Sequence, residues 1–198
     1  MSIMKAIKTG TLAALVGCAF GSAPAAVISP VSANLIAGTQ AFPSAPESNI
    51  GFVIDGIVNP TQWYGVSPPS GTIRLDLGGI FDLESVTIWN NAGGIGNDGE
   101  GIDSFSLDFF DVDRAAVGSY AGTLPDTELG HVRVFNVSHV AYVDLVIRSA
   151  YNPSYALFHE IAFGGTQVPE PAAILLIGIG LVGLMAQRIR GKRVRAVV

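Results

Sequence analysis

The chain has 198 residues, of which 49% are hydrophobic and only 14% charged, and its formal net charge is −5. That length holds one ordinary domain with its own core. A single cysteine, Cys18, excludes a disulfide within the chain and a cysteine-based metal site.

Residues 1–26 read as a secretory signal peptide. Lys5 and Lys8 form its positive region, "TLAALVGCAF" its apolar core, and Ala23-Pro24-Ala25 a small-residue site for signal peptidase. Cleavage after Ala25 or Ala26 leaves a mature chain starting near Val27. A rival signal overlaps it: Leu15-Val16-Gly17-Cys18 resembles a lipoprotein box, in which Cys18 would be acylated.

Residues 27–167 form the body. They hold fifteen acids against four bases, Arg74, Arg114, Arg133 and Arg148, a net of −11. Such a surface repels phosphate backbones, so no nucleic acid partner is expected; neutral sugars or cations suit it better. Thr72–Leu77, Ser85–Ile88, Ser104–Phe109 and His131–Val134 alternate apolar and polar residues, the period of half-buried strands. Ala141–Ile147 and Ala156–Phe163 are longer, mainly apolar stretches that read as central strands covered on both faces. Clusters of Gly, Pro, Asn and Asp at 43–49, 65–71, 91–101, 122–130 and 149–154 predict turns between them. No stretch sustains a helical period, and this pattern predicts an all-β, antiparallel jelly-roll sandwich.

Five segments of this body, "VIDG…TQW" (Val53 to Trp63), "GTIRLDLGG" (Gly71 to Gly79), "VTIWN" (Val86 to Asn90), "YVDLVI" (Tyr142 to Ile147) and "FHEIAFGG" (Phe158 to Gly165), run in the order and spacing of a discoidin-like domain. That is the coagulation-factor C-type, galactose-binding-like fold, related to family-32 carbohydrate-binding modules. The resemblance implies a structural calcium ion held by Asp55, by oxygens near Asn59 and Thr61, and by Glu160. "DGIVNPT" is one residue longer than the usual spacing, which touches Thr61 most. Read without the resemblance, Asp55 caps an Asp-Gly turn by accepting backbone N–H bonds, and a neighbour satisfies Glu160.

Ligands of such domains meet the loops at one end. Sugars want an aromatic face and a few planar polar groups. Trp89, Asn90 and Asn91 offer both kinds, as do Tyr151, Asn152 and Tyr155; the plainer reading places Trp89 in the core, the tyrosines on a wet surface, and Trp63 in packing. "GGIGND" (Gly93 to Asp98) resembles one unit of a calcium-binding nonapeptide that works only in stacked copies, so it reads as a loop. No catalytic residues are assigned. His131 and His139 stand singly, His159-Glu160 begins an H-E-x-x-H pattern that Phe163 fails to close, and G-x-S-x-G is absent.

Residues 168–198 form the tail. Ala172 to Ala186 is uncharged and apolar all round, and five cations follow: Arg188, Arg190, Lys192, Arg193 and Arg195. "GIGLVG" (Gly178 to Gly183) fits a dinucleotide loop only formally, because prolines rather than a strand precede it and no acid follows. The pattern predicts a transmembrane helix over residues 172–187 with a cytoplasmic basic end. Fifteen residues rise about 22 Å, short of a hydrocarbon core of about 30 Å. Snorkelling arginine and local thinning make up the difference.

Val168-Pro169-Glu170-Pro171, the apolar span and the Arg-rich end together resemble the PEP-CTERM sorting signal. The resemblance implies export, recognition by an exosortase, and transfer to the surface or extracellular matrix of a Gram-negative bacterium. The combined expectation is a non-catalytic binder of carbohydrate such as exopolysaccharide. The alternative is a structural or protein-adhesion module of a biofilm matrix without a sugar site.

Overall fold

A computed structural model describes residues 26–91 and 99–169, with Ile179 beyond them. The expected signal peptide up to Ala25, with Cys18, the Gly93–Asp98 stretch, Glu170 and Pro171 of the sorting motif and, Ile179 apart, the expected membrane segment 172–187 lie outside the described residues. Among the described residues no helix is long and apolar enough to cross a membrane.

The described chain is all-β. Its strands are β1 (Ala26–Ile28), β2 (Ser32–Gln40), β3 (Tyr64–Asn90), β4 (Ile102–Phe110), β5 (Ala116–Thr123), β6 (Gly130–Ala150) and β7 (Ala156–Gln167). One 3-10 turn, Ile50–Val53, interrupts them, capped by Asn49, whose side chain accepts from the Gly51 N–H. The order is β1-β7-β3-β6-β4-β5, with β2 also on β3.

Two long strands make the sandwich. In its first half β3 pairs with the second half of β6 (Gly71 opposite Ile147, Asp76 opposite Tyr142), which pairs in turn with β4. In its second half β3 pairs with the first half of β6 (Ser85 opposite Val134, Trp89 opposite Gly130) and with β7 (Val86 opposite Phe163, Ile88 opposite Ile161). Each strand therefore serves both layers. The alternating apolar residues, among them Ile73, Leu75, Val86, Ile88, Phe105, Leu107, Phe109, Leu145, Ile161 and Phe163, meet between the layers as one buried cluster. Phe109 of β4 lies 5.0 Å from Phe135 of β6 across that gap, ring centre to ring centre.

The turn expected at 65–71 is instead part of β3. Val66 and Ser67 still pair with Gln40 and Thr39 of β2, and pairing resumes at Thr72 opposite Ala37. The two prolines, Pro68 and Pro69, cannot donate to a ladder, but they fall in the gap between those pairs, where no donor is needed. The mainly apolar strands β7 and the second half of β6 are interior, as their composition predicts, and they carry Asp144, His159 and Glu160 inside with them.

The register sends the loops to one pole. Residues 41–63, 124–129 and 151–155 connect strands there, and Asn91 and Glu100 lie there too, since Gln40 faces Val66, Asn90 faces Phe158, Ser104 faces Thr123 and Ile102 faces Ala150. At the other pole Ala26 lies opposite Gly165, and the N–H of Val168 donates to the carbonyl of Ile80.

Candidate functional site

At the loop pole three aromatic rings stand in a row. Phe42 follows the end of β2 with a left-handed backbone (φ 53°), a conformation that costs a bulky residue energy and that its surroundings must hold. The residue is 45% exposed. It meets Tyr155 edge-on at 4.9 Å and Trp63 edge-on at 5.5 Å. The Tyr155 hydroxyl donates to Oε1 of Glu100 at 2.7 Å, which fixes the ring and places a carboxylate beside it. Tyr151, on the far side of the same loop, donates to the Leu124 carbonyl at 2.8 Å. Burial, then the charges of Asp103 and Asp126, push its hydroxyl pKa up, so it stays a donor. Asn152 accepts the Ser154 N–H through Oδ1 at 2.8 Å, an Asx turn that shapes the loop.

Trp89 and its neighbours divide. Trp89 is half-buried on the outer face of its sheet, across from Gly130 and Glu160. A Cβ on Gly130 would lie 2.7 Å from the indole nitrogen, so only glycine lets the indole lie there. The core position considered for Trp89 belongs to Ile88 instead. Asn90 is fully buried. Its Nδ2 donates to the carbonyls of Ile102 (2.9 Å) and Pro125 (3.1 Å), and its Oδ1 accepts the Ile102 N–H (2.8 Å). That amide is spent on holding the loop pole together, which corrects its expected part in ligand contact. Asn91 is 7% exposed and stands where β3 leaves the sheet.

The two carboxylates expected around an ion do come together. Glu160 on β7 is 1% exposed, and neither of its carboxylate oxygens receives a hydrogen bond of good geometry. Its carboxyl is pushed up to about 8, first by burial and then by the charge of Asp55; the nearby N–H groups of Gly56 and Ile161 pull the other way without closing proper bonds. Asp55, exposed, accepts the Ile57 N–H at 2.8 Å, the bond an Asp-Gly turn calls for. The neighbours placed to satisfy Glu160, Asp55 and the N–H groups of Gly56 and Ile161, lie close to it without closing a bond of good geometry. Two adjacent acids, one of them buried and unmet, are a hard-oxygen donor set that fits a cation such as calcium.

Asn59 and Thr61 are not part of that pair. Oδ1 of Asn59 accepts both the Thr61 N–H (3.0 Å) and the Thr61 hydroxyl (2.9 Å), so their side chains face one another. Among the described residues no group of three His, Cys, Asp or Glu side chains gathers to hold a metal. His159, next to Glu160 on the strand, is buried and hydrogen-bonds through Nδ1 with the Gln62 carbonyl at 2.8 Å.

Residues 167–190 match the PEP-CTERM protein-sorting motif. The chain carries a PEP-CTERM sorting signal. That signal indicates an exported protein processed at the membrane. The PEP-CTERM motif begins where β7 ends, at Gln167, with Val168 still bonded to the sheet. No curated protein matches the chain. Among solved structures it is similar to the family 32 CBM of NanJ from C. perfringens in complex with galactose, at 12% identity over 70% of this chain and 99% of that one, with a TM-score of 0.55. It is similar also to CpGH89CBM32-5 from Clostridium perfringens in complex with GalNAc-β-1,3-galactose, at 18% identity over 67% and 93%, TM-score 0.54. A third is the lectin domain of lectinolysin complexed with Lewis B antigen, at 12% identity over 70% and 93%, TM-score 0.54. At these identities the likeness is one of fold: a galactose-binding-like jelly roll.

Sequence reasoning missed Phe42 and Glu100, and read Trp63 as more often packing than contact. An aromatic residue between Ala41 and Pro43 in a turn-rich stretch is the one signal that marks Phe42.

Proposed function

We propose that this exported protein binds carbohydrate without transforming it. In this reading an exosortase sorts it through Val168–Pro171 while residues 172–187 hold it in the membrane. The destination is the surface or matrix of a Gram-negative bacterium, and the ligand an exopolysaccharide there. The observation that carries the reading is the aromatic row Phe42–Trp63–Tyr155 beside Glu100 at the loop pole. Partly exposed rings cover the C–H face of a sugar while an adjacent carboxylate accepts from its hydroxyls. Trp89, Asn91, Tyr151 and Asn152 border the same pole as further contacts. One shallow site binds weakly, and many displayed copies raise the affinity by avidity. In the same proposal Asp55 and Glu160 hold a structural calcium ion, completed by carbonyl oxygens of the turn. The ion removes the cost of a buried carboxylate and ties that turn to β7.

Retention of the purified chain on a polysaccharide panel tests the reading. Phe42→Ala and Tyr155→Ala should each lower retention about ten-fold, the loss of one good stacking contact. Uniform failure to bind any glycan would sink it. A second reading has its own observation: Val27 (81% exposed), Val132 (55%) and Val134 (76%) share an outer sheet face with Thr87 and Ser85. Self-association without sugar, lost in Val134→Lys, would mark a structural or adhesion module instead.

A further inference from the structure

A cleft of about 300 Å³ opens on the flank of the sandwich, between β2 and the segment leading into the 3-10 turn. Ala33, Asn34 and Leu35 form one wall, Gln40, Ser48, Asn49 and Ile50 the other, and Tyr64 also lines it. Two register shifts in β2, between Leu35 and Ala37 and between Ala37 and Thr39, bend the strand around it. Gly38, at φ 93°, lies within that bend, and a Cβ there would sit 3.0 Å from Val66.

The far wall is built rather than incidental. Nε2 of Gln40 donates to the Ser48 carbonyl at 2.8 Å, and the buried Ser48 hydroxyl donates to the Ala41 carbonyl at 3.1 Å. Holding Nε2 fixes the plane of the Gln40 amide. Asn49 is held too, its Oδ1 accepting the Gly51 N–H at 2.8 Å. The cleft therefore presents amides in set orientations against Leu35, Ile50 and Ala33.

Its chemistry is selective by omission. No Asp, Glu, Lys, Arg or His lines it, although the body bears a net charge of −11. The body's net negative charge disfavours anions, and a cation finds no carboxylate among the lining residues. A purely apolar occupant would strand the amide dipoles. We propose that this flank cleft is a second binding site, for one neutral polyhydroxylated unit the size of a pyranose. The volume lies at the small end of ligand pockets, which run from about 300 to about 1,000 Å³. The site goes beyond the loop-pole reading and does not depend on it.

Two-dimensional amide spectra of the isotope-labelled full chain, titrated with methyl galactoside and methyl glucoside, test it. The side-chain amide signals of Asn34, Gln40 and Asn49 should move along one saturating curve. Asn34→Leu, on an exposed strand position, should weaken that curve about ten-fold, while Tyr155→Ala leaves it unchanged. Gln40→Leu serves as a second variant, with melting temperature checking that each still folds. Amide signals that stay still to the solubility limit of both glycosides overturn the proposal, as does a curve that Tyr155→Ala abolishes. Moving cleft amides in a chain whose loop pole does not respond would support the cleft and sink the loop-pole reading alone.

Discussion

Asn90 and Glu160 sit near the loop end of neighbouring strands, and their exposures are 0% and 1%. Asn90 has its amide nitrogen bonded to two carbonyls and its oxygen to an N–H. Glu160 has two oxygens and no well-formed bond to either. Equal burial thus means opposite things. A polar group whose bonds are closed from within belongs to the frame, whereas a buried acid left open requires something from outside, a proton or a cation.

The largest expected effect probes the open member. In the fold the Glu160 carboxyl is raised from 4.5 to about 8, so the folded chain keeps a proton that the unfolded chain releases. Below both values each state is protonated and the group has no effect on stability. As pH rises from 4.5 towards about 8, the unfolded state gains by ionising, and stability falls by on the order of 1 kcal/mol per pH unit before levelling off. In chelator the melting temperature should therefore drop across that window. Calcium should restore it at the alkaline end, and Glu160→Gln should remove both the drop and the calcium response. Identical pH profiles for wild type and variant would break the contrast.

Next comes the closed member. Asn90→Ala leaves the buried Ile102 N–H and two carbonyls without partners and should cost about 2–3 kcal/mol in urea unfolding. A loss below about 0.5 kcal/mol would show that the frame does not rest on this amide. Tyr155→Phe is smaller: the bond to Glu100 is half-exposed, so about 0.5–1 kcal/mol is lost. The ring contact with Phe42 survives, and glycan retention should hold where Tyr155→Ala loses it. Smallest is Asn59→Ala, which should change stability by about 0.5 kcal/mol or less and leave the calcium response intact. A lost response would return Asn59 to the ion.

Period-two alternation was enough to find the strand cores, because Thr72–Leu77 and Ser104–Phe109 each bury one face against a single interior. Alternation carries no information about where a strand bends, so β3 running from Tyr64 to Asn90 through Pro68, Pro69, Gly78 and Gly79 was not legible. Nor was the role of Asn90, since an amide reads alike whether a carbonyl or a ligand faces it. Asp55 and Glu160, 105 positions apart in the sequence, were paired only through the discoidin-like resemblance. Phe42 was hidden by its setting, a turn in which side chains are usually incidental.

The chain enters β1 at Ala26 and leaves β7 at Gln167 beside the same edge of the molecule, and the aromatic row occupies the opposite edge. Under the proposed function, a body tethered by its tail would stand upright on its anchor with its gripping end outward. Cutting the tail would free the body without touching the grip, and reversing the sense of either terminal strand would turn that end toward the lipid and blind it.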